Sequence, residues 1–360
     1  MLPVLENGFG NPSSLHSFGR AAKAAVENAR MHVAQRIGAK TQEIVFTSGA
    51  TEADNLALLG VAAAHEQDKG HLITSMIEHH AVLHPAQLLE KNGWRVTYLP
   101  VSKDGLIDPA DAASAIQTDT RLISLMMVNN EMGAIQPIQE VGEIAKEHGI
   151  LFHTDAVQAL GLLPVSVDDL GVDLLSLSAH KIYGPKGSGA LYIREGTTIQ
   201  PMFSGGPQEG VRRSGTENVP GIVGLGAAAA ATALKMHSEY ERLSGLKRYL
   251  LDGLCDQVSD FQVNGPEEQT SPHVVSLTFP GSDGEMMLFH LNKHGVAVSM
   301  GSACNARETL PSHVLLAMGL TPAQADATIR VSFGYPTQSV DIDRLLDVLP
   351  EIVEQCRKMQ

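Results

Sequence analysis

Lys181 stands in SLSAHKIYGPKG, between an apolar run and a Gly/Pro-rich turn. A lysine at such a junction can lose its proton by desolvation and act as a nucleophile, although most lysines are solvated or ion-paired. Ser178, three residues earlier, can reach the same place and bond an anion. EIVFTSGATEADN (43–55) takes a strand-like run into small hydroxyl residues and an acidic helix start. Free backbone N–H groups with Ser48 and Thr51 there make an anion site, or a plain Ser/Thr helix cap. No lysine completes a nucleoside-triphosphate loop. In HTDAVQALG, Asp155 ends an apolar run, where a cationic ring nitrogen would keep the acid ionised; a helix-capping role is the rival. His79 in MIEHHAVL can stack on a planar ring or move protons. His80 and His84 have metal-ligand spacing without a third ligand, so no metal is expected.

Two further segments add a nucleophile and a cation. Cys304 in VAVSMGSACNA has only small neighbours, which suits an exposed reactive thiol better than a buried one. Cys255 and Cys356 fall in amphipathic helical patterns and read as inert. Arg330 interrupts the β-like run ATIRVSFG, where it needs an anion: a substrate carboxylate or an internal acid.

Elements able to hold these groups follow from the apolar pattern. Strand-length runs cover 43–48, 71–76, 94–101, 121–128, 150–155, 173–178 and 189–194. Several are apolar throughout, as in strands covered on both faces of a parallel or mixed sheet. Helical patterns at 52–65, 81–91, 108–117 and 140–148 alternate with them, giving an α/β layered domain. An Ala-rich helix from Pro220 towards Asp260 links it to a smaller α+β unit. That unit is expected to have strands at 274–279, 296–299 and 328–333, and helices at 285–293, 313–318 and 340–357. The expected division is 14–235 for the large domain, with 1–13 and 236–360 forming the small one.

Composition narrows the function classes. Of 360 residues, 43% are hydrophobic, enough for a packed core, and the formal charge of −14 argues against nonspecific phosphate-backbone binding. No unbroken apolar run long enough for a bilayer and no signal-peptide pattern were read. With only three scattered cysteines, a reducing cytoplasmic compartment is expected.

FTSGATEADN, EHHAVL, VNNEMG, TDAVQ, SAHKIYGPKG, RRSGTEN and GSAC occur in that order. Together they resemble the cysteine desulfurases of the nitrogen-fixation/housekeeping iron–sulfur group, class V aminotransferase-like enzymes of pyridoxal 5'-phosphate (PLP) fold-type I. The resemblance implies a large α/β domain with a mostly parallel sheet, a smaller α+β domain, a PLP cofactor and a homodimer. By it, Lys181 carries PLP, Asp155 pairs with the ring nitrogen, Gln158 bonds the ring oxygen and His79 stacks on the ring. Ala50, Thr51, Ser178 and His180 match phosphate-site positions, with Thr216 supplied to the other subunit. Asn130, also a cofactor-site position, and Arg330 match the groups holding the substrate carboxylate, and Cys304 matches the persulfide-forming cysteine.

The expected reaction turns L-cysteine into L-alanine and passes sulfur to an acceptor protein, with no membrane or direct nucleic-acid partner. A selenocysteine lyase, a class V aminotransferase or a non-enzymatic sulfur relay are the alternatives. The family has a strand and an Ala-Thr-Thr motif upstream of MLPVLENGFGNP, and a scaffold-docking tail beyond the last helix. Met300 and Tyr335 depart from the usual small and basic residues. Iron–sulfur assembly, tRNA thiolation and DNA phosphorothioation all draw on such enzymes.

Overall fold

The computed structural model describes residues 1–65, 67–301 and 311–359. They fall into two compact units. Unit 1 comprises Met1–Leu99, Asp108–Met127 and Pro137–Met236; unit 2 comprises Pro100–Ile107, Val128–Gln136 and His237–Gln360. Residues 1–13 therefore belong with unit 1, while 100–107 and 128–136 join unit 2, unlike the division expected from sequence.

Unit 1 begins with helices α1 (Leu2–Asn7) and α2 (Ser17–Ile37), then alternates strand and helix. The order continues β1 (Ile44–Thr47), α3 (Ala50–Ala64), β2 (His71–Ser75), α4 (His80–Lys91), β3 (Arg95–Leu99) and α5 (Pro109–Ala115). β4 (Thr120–Met126), α6 (Ile138–Glu147), β5 (Leu151–Asp155), β6 (Leu174–Ser178) and β7 (Gly189–Ile193) follow. The seven strands form one sheet in the order β1-β7-β6-β5-β4-β2-β3. Ladders from β3 across to β6 are parallel, and β7 is antiparallel to both β6 and β1. Strands β2, β6 and β7 are buried at every residue, their few polar side chains included, so both faces are covered. One part of the core packs Ala53, Leu56 and Val61 of α3 and Val82 and Ala86 of α4 against Leu72, Leu122, Leu174 and Leu191.

α7 (Val219–Gln257) runs from unit 1 into unit 2, the division falling after Met236. Its most apolar 18-residue window reaches a mean hydropathy of 1.4, so by length and composition it could cross a membrane. Its apolar stretch 219–234 ends at Lys235, short of an unbroken membrane-length run, and Leu225, Ala229, Leu243, Leu250 and Leu254 of the same helix are buried in the protein.

Unit 2 contains β8 (Gln262–Asn264), β9 (Val274–Thr278), α8 (Gly284–Lys293), α9 (His313–Ala317), α10 (Pro322–Asp326), β10 (Thr328–Ser332) and α11 (Ser339–Lys358). Its sheet is antiparallel, β10-β9-β8. The stripe Ile342, Leu345, Leu346, Leu349, Ile352, Val353 of α11 is buried at helical spacing. The strand expected at 296–299 is reduced to a bridge between Ser299 and Arg330.

Candidate active site

In unit 1 the chemistry gathers at one sheet edge because the parallel strands end there together. Register pairs Met126 with Asp155, Asp155 with Ser176, Ser178 with Gly189, and Gly189 with Thr47. Asp155 is 7% exposed, and its Oδ1 accepts the Val157 N–H at 2.9 Å. It therefore caps a turn and not a helix. Burial pushes its carboxyl up to about 6, against the pull of the Val157 N–H and the Lys181 ammonium. A cationic partner would reverse that shift.

Beyond β6, Ser178 Oγ lies 2.7 Å from His180 Nδ1, and Ala179–Ile182 form a tight turn. The turn exposes both His180 and Lys181. Exposure corrects the expectation that the strand end would desolvate the lysine. Partial desolvation of the ring, and then the charges of Lys181 and Lys186, hold the largely exposed His180 below the usual imidazole range. Gly189 packs so closely on Gly49 that a Cβ would sit 2.7 Å from its backbone, so only glycine lets β7 begin beside the start of α3.

α3 opens with Ala50 and Thr51 without a side-chain cap, leaving first-turn N–H groups for an anion. Ser48 N–H instead donates to Glu52 Oε2 at 2.8 Å. Glu52 also accepts from Arg213 Nε at 2.7 Å, tying the segment that carries exposed Thr216 to the head of α3. Although burial raises it, the Arg213 and Ser48 donors hold the Glu52 carboxyl below the usual range. His79 caps α4, its Nδ1 accepting the Ala81 N–H at 3.1 Å, so the ring proton of the neutral form is on Nε2. Gln158 is half-buried in the turn after Asp155. The rings of His80 and His84 stack at 4.6 Å, and among the described residues no group of three or more His, Cys, Asp or Glu is arranged to hold a metal ion.

Unit 2 carries Asn130, 9% exposed, whose backbone carbonyl accepts from Arg330 Nη1 at 3.0 Å. Neighbouring Glu131 accepts from Ser312 Oγ at 2.5 Å. Cys304 lies outside the described residues. Cys356 is buried, and burial pushes its thiol up, whereas Cys255 is exposed.

The aminotransferase class-V family pattern matches residues 1–345. This chain belongs to that family. Members of the class-V family are PLP-dependent. Curated relatives include the cysteine desulfurase IscS of Dictyoglomus turgidum, 51% identical over 99% of this chain and 91% of its own length. The cysteine desulfurase IscS of Methanosarcina thermophila is 49% identical over 100% of this chain and 89% of its own. Among solved structures, a NifS-like protein superposes with a TM-score of 0.92 at 36% identity, covering 98% of this chain and 94% of that one. SspA in complex with cysteine gives 0.81 at 40% identity, covering 92% of each chain.

PLP brings an anionic phosphate, an aldehyde and a ring nitrogen able to carry a proton. Unit 1 has matching groups at one edge: orphan helix N–H groups with Ser178 and His180, the Lys181 amine, and an acid at Asp155 whose raised value a cation would restore. The residues fit the group. Sequence reading did not find Asp54, Glu78, His153 or the Glu52–Arg213 pair. A signal for Asp54 existed, since Ala53, Asp54, Ala57, Leu58 and Val61 share the helical period of the buried face.

Proposed function

We propose that this chain is a PLP-dependent L-cysteine desulfurase that yields L-alanine and a persulfide on Cys304. The observation that carries the reading is the convergence of Lys181, Asp155, Ser178 and the head of α3 on one sheet edge, in a chain half identical to cysteine desulfurases. Ser178, His180, Ala50 and Thr51 would hold the phosphate, Asp155 and Gln158 the ring, and His79 its face. When bound, PLP supplies an electron sink for the substrate's Cα.

The chain's own groups do the rest. Arg330, with Asn130, orients the substrate carboxylate so that the Cα–H bond points along a reactive direction. Lys181 Nζ takes the Cα proton and later returns one. Cys304 as thiolate attacks the substrate sulfur, and the carbon–sulfur bond breaks as a sulfur–sulfur bond forms. Free cysteine plus the enzyme thiol becomes alanine plus enzyme persulfide, so no external oxidant is needed. With His79 Nδ1 engaged by the Ala81 N–H, proton exchange with the thiols falls to Nε2, which supports that role for His79.

A homodimer in which Thr216 completes the other subunit's phosphate site is part of this reading, supported by the exposure of Thr216. An acceptor protein takes the sulfur; the names of the IscS relatives favour iron–sulfur cluster assembly. A cytoplasmic setting is supported by free thiols at Cys255 and Cys356. The test is purified protein supplied with PLP, cysteine and dithiothreitol, which reduces the persulfide to sulfide: alanine and sulfide in equal amounts are expected. Pyruvate with a requirement for an amino-group acceptor would replace this reading with an aminotransferase.

A further inference from the structure

Behind Asp155, unit 1 buries polar groups for which the proposed reaction has no use. Asp54 of α3 is fully buried, and no donor meets either carboxyl oxygen in good geometry; the nearby Ser176 hydroxyl, also 3.0 Å from His153 Nε2, is the one hydroxyl that favours its charge. His153 Nε2 lies 3.6 Å from its Oδ1, too far for a bond. That ring is engaged at both nitrogens, Nδ1 at 2.8 Å from Ser124 Oγ and Nε2 at 3.0 Å from Ser176 Oγ. Glu78, 1% exposed, accepts through Oε1 from the Ser75 hydroxyl at 2.6 Å and the Met126 N–H at 3.0 Å.

Three carboxyls thus share one dry region, close enough to act on one another's charge. A carboxylate sealed from water without donors is far costlier than its protonated form, and neighbouring acids do not all ionise. Burial first, and then the charge of Asp155, push Asp54 well above the usual carboxylate range, against the smaller pull of the Ser176 hydroxyl. Burial likewise takes Glu78 to about 8 and holds His153 at about 3, leaving its ring neutral. Asp155 alone of the three acids has the Lys181 ammonium among the groups favouring its charge. The titratable groups facing Asp54 are His153 and Asp155 of β5 and Glu78 ahead of α4.

We propose that Asp54 is a positioning residue: held as a neutral carboxylic acid beside the Ser124–His153–Ser176 array, it confines the negative charge of this buried cluster to Asp155. The consequence for the cofactor rests on the reading of Asp155 as the ring-nitrogen partner; the charge distribution itself does not.

Infrared spectroscopy of the cofactor-free full chain, with ¹³C-carboxyl aspartate, separates the two. At neutral pH the unmutated protein should show a protonated-acid carbonyl band that Asp54→Asn removes. Asp155→Asn should move the pH midpoint of that band down by about one unit or more, because the repelling charge is gone. A carboxylate signal from Asp54 at neutral pH, or a midpoint indifferent to Asp155→Asn, overturns the proposal. If Asp54→Asn does not fold, the unmutated protein and Asp155→Asn still decide through that midpoint. In the PLP-loaded protein, Asp54→Asn should leave the pH midpoint of the visible absorbance in place. A fall of about a unit would mean that a charge had been removed, and would sink the proposal. Failure of Asp155 to bind the ring would change only this last measurement.

Discussion

Asp155→Asn should act in opposite directions on the empty and the loaded protein. Burial raises the Asp155 carboxyl from 3.8 to about 6, so the folded chain keeps a proton that the unfolded chain has released. Its contribution to stability is therefore full below pH 4 and falls as pH rises to 6, by about 3 kcal/mol at ~1.4 kcal/mol per unit. Asparagine cannot ionise, yet its oxygen can still accept the Val157 N–H, so the cofactor-free variant should be more stable at pH 8 by on the order of 3 kcal/mol. With PLP bound the sign reverses. A charge-assisted hydrogen bond worth about 1.5–3 kcal/mol is lost, weakening cofactor retention roughly tenfold to a hundredfold. Urea unfolding of both forms at pH 5 and pH 8 measures each arm. A cofactor-free variant less stable than its parent at pH 8, or one that retains PLP as tightly, would refute the reasoning.

Lys181→Ala should fold but hold no PLP covalently; borohydride reduction and peptide mapping check this, and a label on Lys186 would reassign the lysine. Arg330→Ala should raise KM for cysteine by about tenfold to a hundredfold through the lost carboxylate contact, read by steady-state kinetics. Glu209 lies with Arg30 in a buried pair, bonded at 2.7 and 2.8 Å, with side chains 3% and 11% exposed. Glu209→Ala leaves that arginine with Glu27 at 3.3 Å and the Ile44 carbonyl at 2.7 Å and should cost about 1–3 kcal/mol in urea unfolding, whereas no measurable loss would mean that water reaches it.

Strands were legible as short, largely apolar or β-branched runs between helical patterns: each of the seven expected in the large domain is present with ends within two residues. α2 escaped the sequence pattern because its buried face mixes small residues (Gly19, Ala22, Ala29, Ala34) and Arg30 among only three bulky apolar side chains, Val26, Val33 and Ile37. The run 296–299 looked like a strand but has only the Ser299–Arg330 bridge, since its apolar residues do not continue far enough to form a ladder. Motif residues such as Asp155 and Ser178 could be read because each ends an apolar run. Asp54, Glu78 and His153 lie far apart in sequence, and only the sheet register brings them together, so their shared charge could not be seen along the chain.

The central claim is tested most directly by mass spectrometry of the PLP-loaded protein after a short pulse of cysteine. One added sulfur is expected on the peptide bearing Cys304, matched by one alanine, and Cys304→Ser should abolish both while cysteine still perturbs the visible absorbance. Sulfur found instead on the peptides bearing Cys255 or Cys356, or near-normal desulfuration by Cys304→Ser, would contradict the account.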